Sequence, residues 1–159
     1  MSYKVNWNDL IEYAQTILRA DAAVIALVDS ARILAQDNLV GGKLPAILVR
    51  SASKRSEDAV NVGNKPPEMI CVLPIQVITF SKDSAGVNRD LEIMRQEAWN
   101  IVDEVERVIR DNYDWNENGD YLIVSPDRVV PDYDVDEKSS TIFFYLTVEI
   151  TIRKQLAST

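Results

Sequence analysis

Any chemistry in this chain would have to come from carboxylates. No histidine occurs among its 159 residues. That removes Ser-His and Cys-His nucleophiles, imidazole metal ligation and histidine pH switching together. The single cysteine, Cys71, lies in an apolar run and cannot form an internal disulfide. It reads as a buried, inert thiol rather than a nucleophile. Two acidic stretches imitate a calcium loop. Asp114-Trp115-Asn116-Glu117-Asn118-Gly119 matches D-x-[DN]-x-[DN]-G, but Ser125 stands at the twelfth position, where a bidentate Glu is needed. An Asn-Gly turn joining a helix to a strand accounts for the motif more simply. Asp132, Asp134 and Asp136 alternate, with Glu137 at the glycine position and Phe143 at the twelfth. At strand spacing they would share one face, so weak cation binding is conceivable, and a solvated acidic loop over about residues 131–140 is the favoured reading.

A carboxylate-pair hydrolase needs two acids at a fixed separation, one with a raised pKa. The acids here sit in polar stretches, with no sign of a desolvated pair. Gly41-Gly42 is a lone doublet, not a phosphate loop. A helix-turn-helix over residues 7–36 lacks basic residues in its second helix. The net charge of −8 opposes a general nucleic-acid grip. No enzyme activity, metal or cofactor is implied. No apolar run approaches the roughly 18–20 residues of a membrane span. The opening M-S-Y-K-V-N-W lacks the pattern of a signal peptide, so an intracellular origin is expected.

The elements that must position these residues are legible from period. Thr141 to Arg153 alternates without a slip: Ile142, Phe144, Leu146, Val148, Ile150 and Ile152 are apolar, and the odd positions are mostly polar or amphipathic. This predicts a strand of roughly 40 Å with one buried face. Met69 to Phe80 predicts a second long strand, apolar on both faces, with Pro74 marking an edge or bulge. Asn88 to about Asn112 predicts the main helix, capped by Asn88. Its stripe runs through Leu91, Met94, Ala98, Ile101, Val102, Val105, Val108 and Ile109. Asp103–Arg107 and Glu106–Arg110 are i,i+4 pairs on it. Its expected length of roughly 36 Å is close to that of the final strand. Trp99 lies off the stripe, at the core edge or at a subunit contact.

Ahead of these, Trp7–Arg19 and a segment capped by Asp21 and carrying Val24, Leu27, Val28 and Ala31 predict helices. Ile33–Val40 is ambiguous between a helical turn and a strand. Leu44–Arg50 predicts a short strand, and Ser51–Glu68 a long polar loop in which Ala59–Val62 could pair weakly. Tyr121–Val124 and Arg128–Val130 predict short strands broken by Pro126 and Pro131. The sum is one α+β domain over residues 1–159. A mostly antiparallel sheet with a long C-terminal strand packs against a long central helix and N-terminal helices.

Charge is unevenly placed. Lys43, Arg50, Lys54, Arg55 and Lys65 fall in one basic stretch, and the acids concentrate between Asp111 and Glu137. Two solvated loops of opposite sign, or complementary patches on neighbouring copies, would both produce this. For a subunit interface the candidates are Lys54 and Arg55 against Asp132, Asp134 and Asp136. Tyr145 and Glu149 join them from the leftover odd face of the final strand, beside Phe143 and Thr147.

This order of parts resembles the tail-terminator (tail-completion) proteins of long-tailed phages and related prophages. The likeness lies in N-terminal helices, L-P-A-I-L-V, a long loop, I-C-V-L-P-I-Q-V-I-T-F, the helix L-E-I-M-R-Q-E-A-W-N-I-V-D-E-V and F-F-Y-L-T-V-E-I-T-I-R-K-Q. The resemblance implies a structural virion protein that forms a hexameric ring. Such a ring caps the tail tube and joins it to the head-tail connector or stopper, and DNA passes through the lumen without specific binding. Its place would be the tail or neck of the virion, assembled in the host cytoplasm, with no membrane involved. A head-side neck adaptor or stopper is the alternative within that class. A small cytosolic regulatory or cation-binding module is the alternative outside it. Titration calorimetry with calcium separates the last: the virion reading expects no stoichiometric micromolar signal, whereas one abolished by Asp114→Ala would favour the module.

Overall fold

The computed structural model describes residues 7–37, 44–56, 68–82, 86–117 and 120–155. Three helices, α1 (Trp7–Ala20), α2 (Ala22–Leu27) and α3 (Leu91–Asp111), lie against one sheet. Its strands are β1 (Ile33–Leu34), β2 (Ala46–Val49), β3 (Ser53–Ser56), β4 (Glu68–Phe80), β5 (Asp114–Glu117), β6 (Asp120–Asp136) and β7 (Thr141–Gln155). Their spatial order is β1-β2-β4-β7-β6-β5, and β3 also pairs with β4. Only the β1–β2 pair is parallel among the described residues. The expected α+β architecture is therefore the observed one.

The final strand is the centre of the sheet. β7 pairs with β4 from Glu68↔Gln155 to Phe80↔Phe143, and with β6 from Leu122↔Lys154 to Asp136↔Thr141. Of its even side chains, Phe144, Leu146, Val148, Ile150 and Ile152 are buried, as the alternation requires, and Ile142 is half-buried at the hairpin end. Together they contribute on the order of 10 kcal/mol of gross apolar stabilisation. They meet Met94, Ala98, Ile101, Val102, Val105, Val108 and Ile109 of α3, with Leu10, Ala14 and Leu18 of α1 in the same core. Cys71 is buried there too.

The two long elements are less well matched than their spacing suggested. α3 has 21 residues, about 31 Å. β7 has 15, about 50 Å. The helix starts later than expected because Asp90, not Asn88, accepts from the Glu92 N–H at the N-cap. Asn88 forms a bridge with Lys82 instead. The overhang falls at the β6–β7 hairpin. There Phe144 is 2% exposed, while Tyr133 beside it on β6 is 52% exposed and Val135 is 56% exposed.

The stretch expected as two short strands and an acidic loop is one strand of 17 residues, β6. The pairing jumps from Pro126↔Ile150 to Arg128↔Glu149, leaving Asp127 as the extra residue of a bulge. A bulge shifts the period-2 pattern by one, so Val124 faces the helices before it and Val129 after it. Read as one run, the pattern breaks. Pro126 and Pro131 are tolerated because the outer side of β6 makes its last described bond at Val124, whose N–H donates to the Tyr113 carbonyl, and pairs with nothing described beyond it. Of the expected acidic loop, only residues 137–140 form the turn.

Pro74 stands where β4's outer neighbour changes from β2 to β3. Its carbonyl accepts from the Arg50 N–H on that side, so its missing donor falls in the gap between the two strands. β3 occupies the start of the expected polar loop; Ala59–Val62 lie outside the described residues. The calcium-like frame is a hairpin: Asp114 pairs with Ile123 in β5–β6. Trp115, inside that motif, is buried, packs edge-on against Tyr13 and donates to the Asn112 carbonyl. Asn118 and Gly119 lie outside the described residues.

α2 stops at Leu27, short of Ala31. Val28 is extended, and Asp29 accepts from the Ala31 N–H to open a short 3-10 turn. Asp21 caps α2 by accepting from the Ala23 and Val24 N–H groups, and it also accepts from Arg107 of α3 at 2.6 Å. Arg107 thus ties α2 to α3 and bonds Glu104 and Asp111, not the expected Asp103. The Glu106–Arg110 pair forms at 2.9 Å.

The Arg107 guanidinium above all holds the Asp21 carboxyl below its ordinary value; burial, next in size, opposes it, and the Val24 and Ala23 N–H groups add to the lowering. A depressed folded-state pKa stabilises fully above the unfolded value of about 3.9 and is lost as pH falls through the folded one. Asp21→Asn keeps a capping oxygen but loses the charge. Urea unfolding should show it less stable than the parent at neutral pH, with the gap closing in acid near pH 2. A gap independent of pH would assign the role to the cap alone.

Candidate assembly surface

Alternation on the central strands divides the sheet into two faces. Odd residues of β4 and even residues of β7 meet the helices. The other face carries Ile78, Gln76 and Pro74 of β4 beside Tyr145, Thr147 and Glu149 of β7. Arg128, Asp132 and Asp134 of β6 stand on it as well. No described helix packs there. It is nonetheless partly closed: Ala46, Leu48, Ile70 and Ile78 are buried, and Phe143, Tyr145, Thr147 and Glu149 are half-buried.

An open cleft of about 370 Å³ on this face is lined by Asp37, Arg50, Gln76, Ile78, Asp134, Phe143 and Tyr145. Strand-edge residues from both flanks line it, so the sheet curls about it. Arg50 Nε is buried and finds no hydrogen-bond acceptor among the described residues. Asp37 is engaged: its carboxylate accepts from the Ser51 N–H at 2.6 Å and the Ser51 hydroxyl at 2.8 Å. Those bonds, the N–H first, hold its pKa below the usual carboxylate value.

The interface candidates fall into distinct environments. Asp132 pairs with Tyr145 across the ladder and Asp134 with Phe143, so these acids and Tyr145 do come together. Asp132 accepts from the Tyr133 N–H, and Asp134 makes no hydrogen bond or ion pair among the described residues. Asp136 has another role: it accepts from the Lys138 N–H and the Ser139 hydroxyl and shapes the turn. The Ser139 hydroxyl, above all, keeps its carboxyl ionised to lower pH than usual. Glu149 is engaged within the chain by Arg128, whose guanidinium is held more firmly charged by that bond. Nothing in the sequence paired these two residues, because the bulge sets their register.

Lys54 and Arg55 stand apart from the acids. Lys54 pairs with Cys71, which lies opposite Ile152; Asp132 lies opposite Tyr145, which pairs with Ile78. The basic and acidic segments are therefore about 23 Å apart along the strands and about 14 Å across three strand spacings. They occupy opposite flanks of the sheet, with the outer sides of β3 and distal β6 both unpaired among the described residues. Trp99 is 41% exposed, so the core does not absorb it. Among the described residues no three acidic or thiol groups gather closely enough to hold a metal ion. No described helix is long and apolar enough to cross a membrane.

No protein-family model matches the chain, and no curated protein matches it. Solved structures do. One is a chain in the virion of a native gene transfer agent particle. The two are 18% identical and superpose with a TM-score of 0.58, over 98% of this chain and 100% of that one. The whole fold is thus shared, end to end, with a chain of similar extent.

Tyr145 reports on the acidic corner. Burial raises its pKa first, and the Asp134 and Asp132 carboxylates add to the rise. In Asp134→Asn the phenol should titrate at lower pH than in the parent yet above free tyrosine. Ultraviolet difference titration reads this, with Tyr145→Phe assigning the signal. An unchanged titration would place Asp134 electrostatically apart from the ring.

Proposed function

We propose that this chain is a structural component of a phage-like virion, and within it the tail terminator. The observation that carries the reading is the end-to-end likeness to a chain of a gene transfer agent virion. The order of parts read from the sequence points to the same class. The edges agree: strand edges unpaired among the described residues suit assembly.

In this role about six copies form a ring between the tail tube protein and the head-tail connector or stopper. The basic and acidic segments on opposite flanks suit a head-to-tail contact, in which each subunit uses two different patches and rotation closes the ring. Such a ring would carry about −48 in formal charge, so its lumen would repel DNA in transit rather than retain it.

Quantitative mass spectrometry of purified particles tests the assignment. The chain is expected at about six copies per particle, as ring closure requires. A tagged version should co-purify with the tube protein. Particles lacking the gene should show heads and tails unjoined. Absence of the chain from complete particles would overturn the virion reading. Recovery with portal-side proteins alone would move it to the head side of the neck.

A further inference from the structure

We propose that neighbouring copies join by adding β3 of one subunit to the open outer edge of β6 in the next, and that Arg55 meets Asp134 across that seam. This rests on the ring assembly proposed above and specifies its contact.

Both edges needed are present and unpaired among the described residues, on opposite flanks of one sheet. An unpaired edge presents a row of N–H and C=O groups that another strand can complete. Most of the β6 edge is guarded: the Asp127 bulge, Pro126 and Pro131 interrupt it. Proline and bulges are the usual devices for refusing a strand. Beyond Pro131 the guard ends. Asp132 to Asp136 is proline-free, regularly paired with β7, and just longer than the four residues of β3. The edge is thus closed to indiscriminate pairing and, once β3 displaces the Asp132 carboxylate from the Tyr133 N–H, open over a length that β3 matches.

Charge selects the occupant. The exposed edge alternates Asp132, Asp134 and Asp136 on one face with Tyr133 and Val135 on the other. A partner strand must bring a cation to the acidic face, and β3 carries Lys54 and Arg55. Sheet parity chooses between them. In a ring every subunit turns the same sheet face to the axis. The residue meeting the acids must therefore belong to the helix-free face. Arg55 pairs with Ile70, on that face; Lys54 pairs with Cys71, on the helix face. Among the acids, Asp136 is held by the turn, whereas Asp134 makes no hydrogen bond or ion pair among the described residues and lines the cleft, which points to Asp134. The Tyr145 ring lines the same cleft as Asp134, a surface on which a guanidinium can rest.

Cysteine pairing tests the seam in the purified full-length chain. In a Cys71→Ser background, Arg55→Cys and Asp134→Cys proteins are mixed at millimolar concentration and oxidised. Cross-strand neighbours on one face lie within disulfide reach, so mixed disulfide dimers are expected. Lys54→Cys with Asp134→Cys, placed on opposite faces, should yield no more than the single variants alone. Circular dichroism confirms that each variant is folded. Arg55→Glu and Asp134→Arg should each weaken self-association roughly tenfold, and combining them should restore it. No Arg55–Asp134 disulfide, equal yields from Lys54, or no rescue by the double reversal would overturn the seam. Because these readouts concern the contact alone, the seam can fail while the chain is still found in particles.

Discussion

The uninterrupted pairing of β7 on both of its sides is the constraint on which the rest of this structure depends. A strand paired on both sides has no freedom of register: a slip of one residue would carry Phe144, Leu146, Val148, Ile150 and Ile152 from the core to the opposite face. Every other placement follows from that lock. β4 must set Leu73, Ile75 and Val77 against the helices, and α3 must lie along the stripe they share. The Asp127 bulge returns β6 to phase, so that Val124 and Val129 both face inward although their parity differs. Without the extra residue, one half of β6 would present its polar side to the core.

Period carried most of the fold because period is what burial imprints. The even face of β7 and the stripe of α3 are legible residue by residue, since each is a long run under one unchanging environment. β6 was not, for two reasons. Its phase changes at Asp127, and towards its far end Tyr133, packed on the Phe144 ring, and Val135 stay exposed. Nor was β3. Ser53-Lys54-Arg55-Ser56 has no apolar residue, and its pairing is set wholly by β4. The helix start was missed because Asn88 and Asp90 are both good caps, and the bridge from Lys82 to Asn88 decides between them.

The surface was legible in kind more than in place. Composition separates a basic from an acidic segment, but only the ladder puts them on opposite flanks. The same ladder sorts the acids by use. Asp136 belongs to a turn and Glu149 to Arg128, whereas Asp134 lines the cleft with Tyr145. Arg50, with its buried unsatisfied Nε, was visible only as one more basic residue. Its importance to the cleft arises from the strand-to-strand geometry at Pro74, whose carbonyl takes the Arg50 N–H.

The two faces of the sheet also divide stability from association. The helix-side core is complete within one chain, so a subunit does not need a neighbour to bury β7. The helix-free face is half-closed by Phe143, Tyr145 and Thr147, with Ile123 and Val130 exposed on it. What the proposed assembly would use is directional: backbone groups unpaired among the described residues at two edges, and charges of opposite sign beside them. Contacts of that kind add little stability as isolated exposed pairs. They gain strength when a second strand excludes water from the seam, because the same charges then interact in a less polar medium.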